Sequence, residues 1–119
     1  MAYSPERFDA LVAEIRARSE EIMVAKRGEY APENRDRIQN FRAIAAFTSR
    51  RPSEVALIYL LKHVQSIAEA VRLGAYDWCW DKPGGGEGLK QRFADAINYC
   101  FLLAACLDEE RTKGEESHA

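Results

Sequence analysis

Apolar residues recur along this chain at intervals of three and four, the period of an amphipathic helix. The first such stretch holds Phe8, Leu11, Val12, Ile15, Ile22 and Met23. Ser4 and Pro5 stand before it; serine is a good helix cap and proline suits the first turn. The helix is expected to run to about Gly28, a residue suited to the positive φ of a helix end. Glu29-Tyr30-Ala31-Pro32-Glu33-Asn34-Arg35 then reads as a polar connection broken by proline. A short second helix, capped by Asp36, carries Ile38, Phe41, Ile44, Ala45 and Phe47 and stops at Arg50-Arg51-Pro52. A third begins at Ser53 and stops at Gly74, with a wide apolar surface of Val55, Leu57, Ile58, Leu60, Leu61, Val64, Ile67, Ala68 and Val71. Residues 75–86, with Trp78-Cys79-Trp80 and Pro83-Gly84-Gly85-Gly86, read as a mobile loop or lid. A fourth helix is expected from about residue 87 to 110, and residues 111–119 as a frayed polar tail. No useful length of strand alternation occurs. The pattern predicts one all-α domain over 1–110, a helical bundle of three long helices and one short one.

Composition narrows the function. The chain has 119 residues, 47% hydrophobic and 30% charged, with net charge −2 and a pI near 5.7. That is enough apolar material for one core, and it excludes a disordered tail. The acidic balance argues against a general electrostatic grip on nucleic acid, which needs a basic surface. Arg35, Arg37, Arg42, Arg50 and Arg51 form only a local basic patch. The longest apolar run, 96–107, is interrupted by Asn98 and falls short of the ~20 residues of a membrane span. The first nine residues carry no apolar segment of a secretory signal. The three cysteines, Cys79, Cys100 and Cys106, form no CxxC pair, which fits reduced thiols in the cytoplasm.

The fourth helix is apolar almost all round from 96 to 107, so it is buried on most sides. A homo-oligomer or a central place in a monomer would achieve that. Asp95 and Asn98 lie three apart and share a face, with Tyr99 adjoining. A carboxylate there needs a cation or donors, because burying a bare charge is costly. It would organise a metal or phosphate site, or pair with an arginine or lysine of a neighbouring helix. Lys26 continues the apolar stripe of the first helix, and Lys62, His63 and Ser66 lie together on the third. Glu21 could approach a metal. Trp78 and Trp80 could cap a pocket, enter a partner or anchor their own loop.

Taken in order, Lys26-x-x-Glu29-Tyr30, Asn40-Phe41, Tyr59-Leu60-Leu61-Lys62-His63-x-x-Ser66-Ile67, Glu87-Gly88-Leu89 and Asp95-x-x-Asn98-Tyr99 resemble a known group. They look like small phage and prophage proteins related to the nucleotide-modification-associated helical domains. Those are similar in turn to the all-α NTP pyrophosphatases, the MazG-like and dUTPase-like enzymes. The resemblance covers roughly 22–107. It implies an oligomeric bundle that binds a nucleotide or nucleoside phosphate between helices, with Mg²⁺ held by ExxE and ExxD motifs in the enzymes. Here Lys62-His63-Val64-Gln65-Ser66 and Asp95-Ala96-Ile97-Asn98 stand where those motifs would lie, so one carboxylate replaces several. On this resemblance Asp95, Lys62 and His63 would be the chemical groups. Lys26, Glu29, Tyr30, Asn40, Ser66, Asn98 and Tyr99 would contact substrate, and Asp95 and Glu21 would hold metal. The alternative is a non-enzymatic phage structural or assembly protein, whose cluster is a buried salt-bridge network of Asp95 with Lys62 or Lys26.

Overall fold

A computed structural model describes residues 2–25 and 36–117. It is all-α: α1 (Pro5–Ala25), α2 (Gln39–Thr48), α3 (Pro52–Leu73) and α4 (Leu89–Ser117). Among the described residues the only β pairing is an isolated bridge between Asp81 and Glu87. No described helix is long and apolar enough to cross a membrane.

The helix ends follow local chemistry. The Ser4 hydroxyl accepts from the Arg7 backbone N–H at 3.1 Å and caps α1. The Asp36 carboxylate accepts from Ile38 N–H at 3.1 Å, closing the turn that feeds α2 instead of capping the helix itself. Pro52 opens α3, and Glu54 reaches back to the Arg51 N–H at 2.9 Å. That bond is the first cause holding the Glu54 carboxyl below its usual range. Gly74 ends α3 at φ 69°, where its N–H meets the Ala70 carbonyl. The expected end of α1 near Gly28 lies outside the described residues.

α4 lies at the centre and packs on α3 and α1, while α2 packs on α3. Helices α3 and α4 are antiparallel: Ser53 bonds Glu110 at 2.8 Å, and ten residues further along α3 His63 stacks on Tyr99. The core joins Ile38, Phe41 and Ala45, Val55 and Ala56, and Leu102 and Cys106. Burial pushes the Cys106 thiol up, which keeps it protonated and inert. At the edge Arg42 is gripped by Asp36 and Glu109, so this arginine of the basic stretch is neutralised.

Two segments differ from expectation. α4 runs on to Ser117 instead of fraying after 110. Asp108–Arg111 at 2.9 Å and Glu109–Lys113 at 3.1 Å lie three and four residues apart, the spacing that supports an exposed helix. The glycine-rich loop is a docked hairpin. Gly88 N–H meets the Trp80 carbonyl at 2.8 Å, Lys82 N–H meets Gly86 at 2.8 Å, and Leu89 N–H meets Asp77 at 2.9 Å. Gly84, Gly85 and Gly86 all adopt positive φ, a run that side-chain-bearing residues would resist. A Cβ on Gly88 would sit 2.1 Å from the Cys79 carbonyl oxygen, so glycine is what lets the hairpin close onto the start of α4. Trp78 then packs edge-on against Phe93 at 6.1 Å, anchoring the loop to its own chain.

Candidate functional site

Gln91, Asp95 and Asn98 are spaced four and three along α4 and are all buried. They form a polar stripe on a face that a bundle normally fills with leucines. Two sets of bonds make that burial tolerable. Asn98 faces α1, where its carbonyl accepts from the Ser19 hydroxyl at 2.5 Å and its amide donates to the Ser19 carbonyl at 3.1 Å. Gln91 donates to the Asp95 carboxylate at 3.0 Å, while its carbonyl accepts from Arg18 Nε at 2.9 Å. The glutamine amide thus bridges a guanidinium and a carboxylate, its dipole oriented by both. Arg18 also lies 3.7 Å from Glu21 and 3.8 Å from Asp81, with its guanidinium 5.5 Å from the Trp80 ring centre. It ties α1, the hairpin and α4 together.

On the α3 side stands an aromatic stack. Tyr99 lies between His63, at 5.0 Å and 22°, and Tyr59, at 5.8 Å and 10°, with Phe41 edge-on to both tyrosines. His63 Nδ1 is buried and has no hydrogen-bond partner among the described residues. Burial lowers the His63 pKa below 6.5, Arg92 and Lys62 add to the effect, and Asp95 and Glu87 oppose it. The imidazole is therefore neutral at pH 7, with one ring nitrogen left over. Beside it opens a cleft of about 580 Å³, lined in part by Ser66, Glu69, Lys82, Glu87 and Arg92.

Of the residues singled out by sequence, the fold gathers His63, Asp95, Asn98 and Tyr99, with Ser66 one turn beyond His63 on the cleft wall. Lys62 is not among them. It is exposed, with its ammonium 5.7 Å from the Tyr59 ring centre, because one residue of helix turns it away from His63. Asn40 is exposed on α2. Glu21 is exposed and faces Arg18. Lys26, Glu29 and Tyr30 lie outside the described residues. Arg18 and Gln91 are the functional partners that sequence reasoning missed. Gln91-x-x-x-Asp95-x-x-Asn98 is a polar stripe at helical spacing, and that was the signal available for Gln91.

The described residues do not fit Mg²⁺. Six oxygens in near-octahedral array is its demand, and Asp95 is a lone carboxylate whose neighbour Asn98 already spends its carbonyl on Ser19. Among the described residues no three of His, Cys, Asp and Glu form a group that could hold a metal ion. What the cluster offers is a neutral imidazole, a carboxylate, flat aromatic faces and an adjoining cleft whose two cations are paired, Arg92 with Glu87 at 3.1 Å and Lys82 with Asp77 at 3.8 Å. Comparison with protein-family models, curated proteins and solved structures finds no match for this chain.

Proposed function

We propose that this chain binds a nucleotide or nucleoside phosphate beside the His63–Asp95–Tyr99 cluster. The observation that carries this is the unfinished state of the cluster. His63 Nδ1 is buried with no partner among the described residues, next to a buried carboxylate and stacked on a tyrosine. A buried polar group without a partner costs about 1–3 kcal/mol, a cost that a completing ligand removes. Flat π faces suit a base, and the cleft's cations, Arg92 and Lys82, are paired with Glu87 at 3.1 Å and Asp77 at 3.8 Å, so a phosphate would take the place of those carboxylates. The motif resemblance to phage-type relatives of NTP pyrophosphatases points to the same ligand class. The proposal is binding; the described donor set by itself does not supply a Mg²⁺ site.

Calorimetry and thermal shift against nucleoside mono-, di- and triphosphates, with Mg²⁺ and with EDTA, test it. At least one nucleotide is expected to raise Tm, and His63→Ala and Arg92→Ala each to weaken its binding about tenfold or more, ~1.4 kcal/mol. No shift across the panel would overturn the proposal.

A second reading has its own observation. Gln91–Asp95 and Ser19–Asn98 are complete bonds without any ligand, as in a buried network that fixes helix register in a non-enzymatic assembly protein. Asp95→Asn separates the two. Intact nucleotide binding with a Tm lowered by several degrees would favour the structural role.

A further inference from the structure

A second cleft, also of about 580 Å³, opens between the start of α1, the docked hairpin and the start of α4. Its walls carry three large rings. Tyr3 comes from the chain just before α1, and Tyr76 and Trp78 come from the segment that follows α3. They keep 52%, 57% and 45% of their surface. Single exposed rings are ordinary, but rings from two distant segments that line one opening make a patch with a use. Tyr76 and Trp78 stand edge to face, 6.5 Å and 74° apart, so they form a corner of two nearly perpendicular walls.

The charges of this cleft narrow the ligand. They are Arg7, Glu14 and Lys90. Lys90 is spent on Glu14 at 2.7 Å. Arg7 has no ion pair among the described residues, and its guanidinium lies 5.0 Å from the Tyr3 ring centre. The cleft is thus left with one positive charge. A cationic ligand does not suit it, because Arg7 and Lys90 already lie over the Tyr3 and Trp78 rings, where an aromatic cage would hold an ammonium group. A polyphosphate does not suit it either, since a single cation is unspent. A carboxylate matches one guanidinium through two parallel hydrogen bonds. An aromatic body matches the corner, where it can meet one wall by its face and the other by its edge.

We infer that this cleft binds a planar aromatic carboxylate, its acid group on Arg7 and its ring system between Tyr3 and the Tyr76–Trp78 corner. The cleft has the volume of a small-molecule site, which is about 300–1,000 Å³. The inference is independent of the nucleotide reading. Tyr3 and Arg7 do not line the cleft beside His63, although Tyr76 lines both.

Calorimetry of the full chain with 2-naphthoate tests this. A Kd of about 1 mM or tighter is expected. The neutral 2-naphthamide and the saturated decahydro-2-naphthoate should each bind about tenfold more weakly or worse, one for want of the charge and the other for want of the flat ring. Arg7→Gln should weaken naphthoate about tenfold and leave the amide unchanged. Tyr3→Ala should weaken both, and Tyr3→Phe should restore both. Circular dichroism of each variant should match the wild type, since both positions are exposed. Arg37→Gln is the control: Arg37 is exposed ahead of α2 and off this cleft, and its loss should change nothing. Adenosine monophosphate should not displace naphthoate. No naphthoate binding at about 10 mM would overturn the proposal. So would equal affinity for the amide or the saturated acid, full binding by Arg7→Gln, or competitive displacement by the nucleotide.

Discussion

The two sides of α4 reverse the usual distribution of side chains. On one side it buries Gln91, Asp95 and Asn98, and on the other it exposes Ile97, Phe101 and Leu107. Polar residues are ordinarily outside and large apolar ones inside. The difference lies in the partners each side has. The polar side meets Ser19 and, through Gln91, Arg18, so its donors and acceptors are matched as they lose water. On the apolar side Ile97 and Phe101 only border an open groove with Val12 and Ile15 of α1. Burial here follows the availability of a complementary surface more closely than it follows hydrophobicity.

Asn98→Leu is the most damaging way to break that contrast. Leucine fills similar space but leaves the buried Ser19 hydroxyl without its acceptor. A loss of about 2–3 kcal/mol is expected, seen as a lower urea midpoint at unchanged m-value. Adding Ser19→Ala should recover much of it, since removing both partners costs less than orphaning one. An unchanged midpoint in the single variant would mean the polar side contributes nothing specific.

Phe101→Ser probes the other side and should act through concentration. Phe101 is 59% exposed, and a surface change in an isolated chain stays within about 0.5 kcal/mol. If a second copy covers the far side of α4, Tm of the wild type rises with protein concentration and the serine variant loses part of that rise. Equal Tm values for the two at every concentration would show the exposed side to be solvent-facing in solution.

Much of the fold was legible because helix ends are written locally. Ser4-Pro5, Pro52 and Gly74 mark boundaries through chemistry contained within one turn. The continuation of α4 past Glu110 was hidden because a polar segment reads as frayed until its charges are paired along the helix. The hairpin was hidden for a different reason. Its closure depends on Gly88 passing against Cys79 and on Trp78 meeting Phe93, contacts made only after α4 is in place. Asp95, Asn98 and Tyr99 stood out as interruptions in an apolar run. Their partners did not, since a polar pattern says that a partner is needed without naming it. Of the two lysines expected as partners, Lys62 faces away and Lys26 lies outside the described residues, while Arg18 and Gln91 resemble any solvated pair until α1 and α4 are docked.

A smaller effect comes from pH. His63 is neutral in the fold because burial lowers its pKa below 6.5. The unfolded chain takes up that proton first as pH falls, so stability is full above about 6.5 and declines as pH drops through the lowered folded value. Tm should fall between about pH 7 and pH 5, and His63→Gln should flatten that stretch of the profile. Asp95 opposes the shift, so Asp95→Asn should steepen the decline. An identical profile in His63→Gln would place the titrating group elsewhere.

Lys90→Met should cost less than Asn98→Leu, and it tests whether burial is what gives the polar side of α4 its value. The Lys90 ammonium is 2.7 Å from Glu14 and lies 5.6 and 5.7 Å from the ring centres of Trp78 and Trp80. It joins α1, the hairpin and α4 much as Arg18 does, but Glu14 is 41% exposed. Water therefore screens the ion pair, which is worth at most about 1 kcal/mol, and the ring contacts add about 0.5–1 kcal/mol. Methionine keeps the apolar stem over the indoles and removes the charge, so a net loss near 1 kcal/mol is expected, read by urea titration alongside a change in tryptophan emission. If Lys90→Met instead costs as much as Asn98→Leu, desolvation is not what separates these contacts, and the hairpin would rank with the buried network as a support of α4.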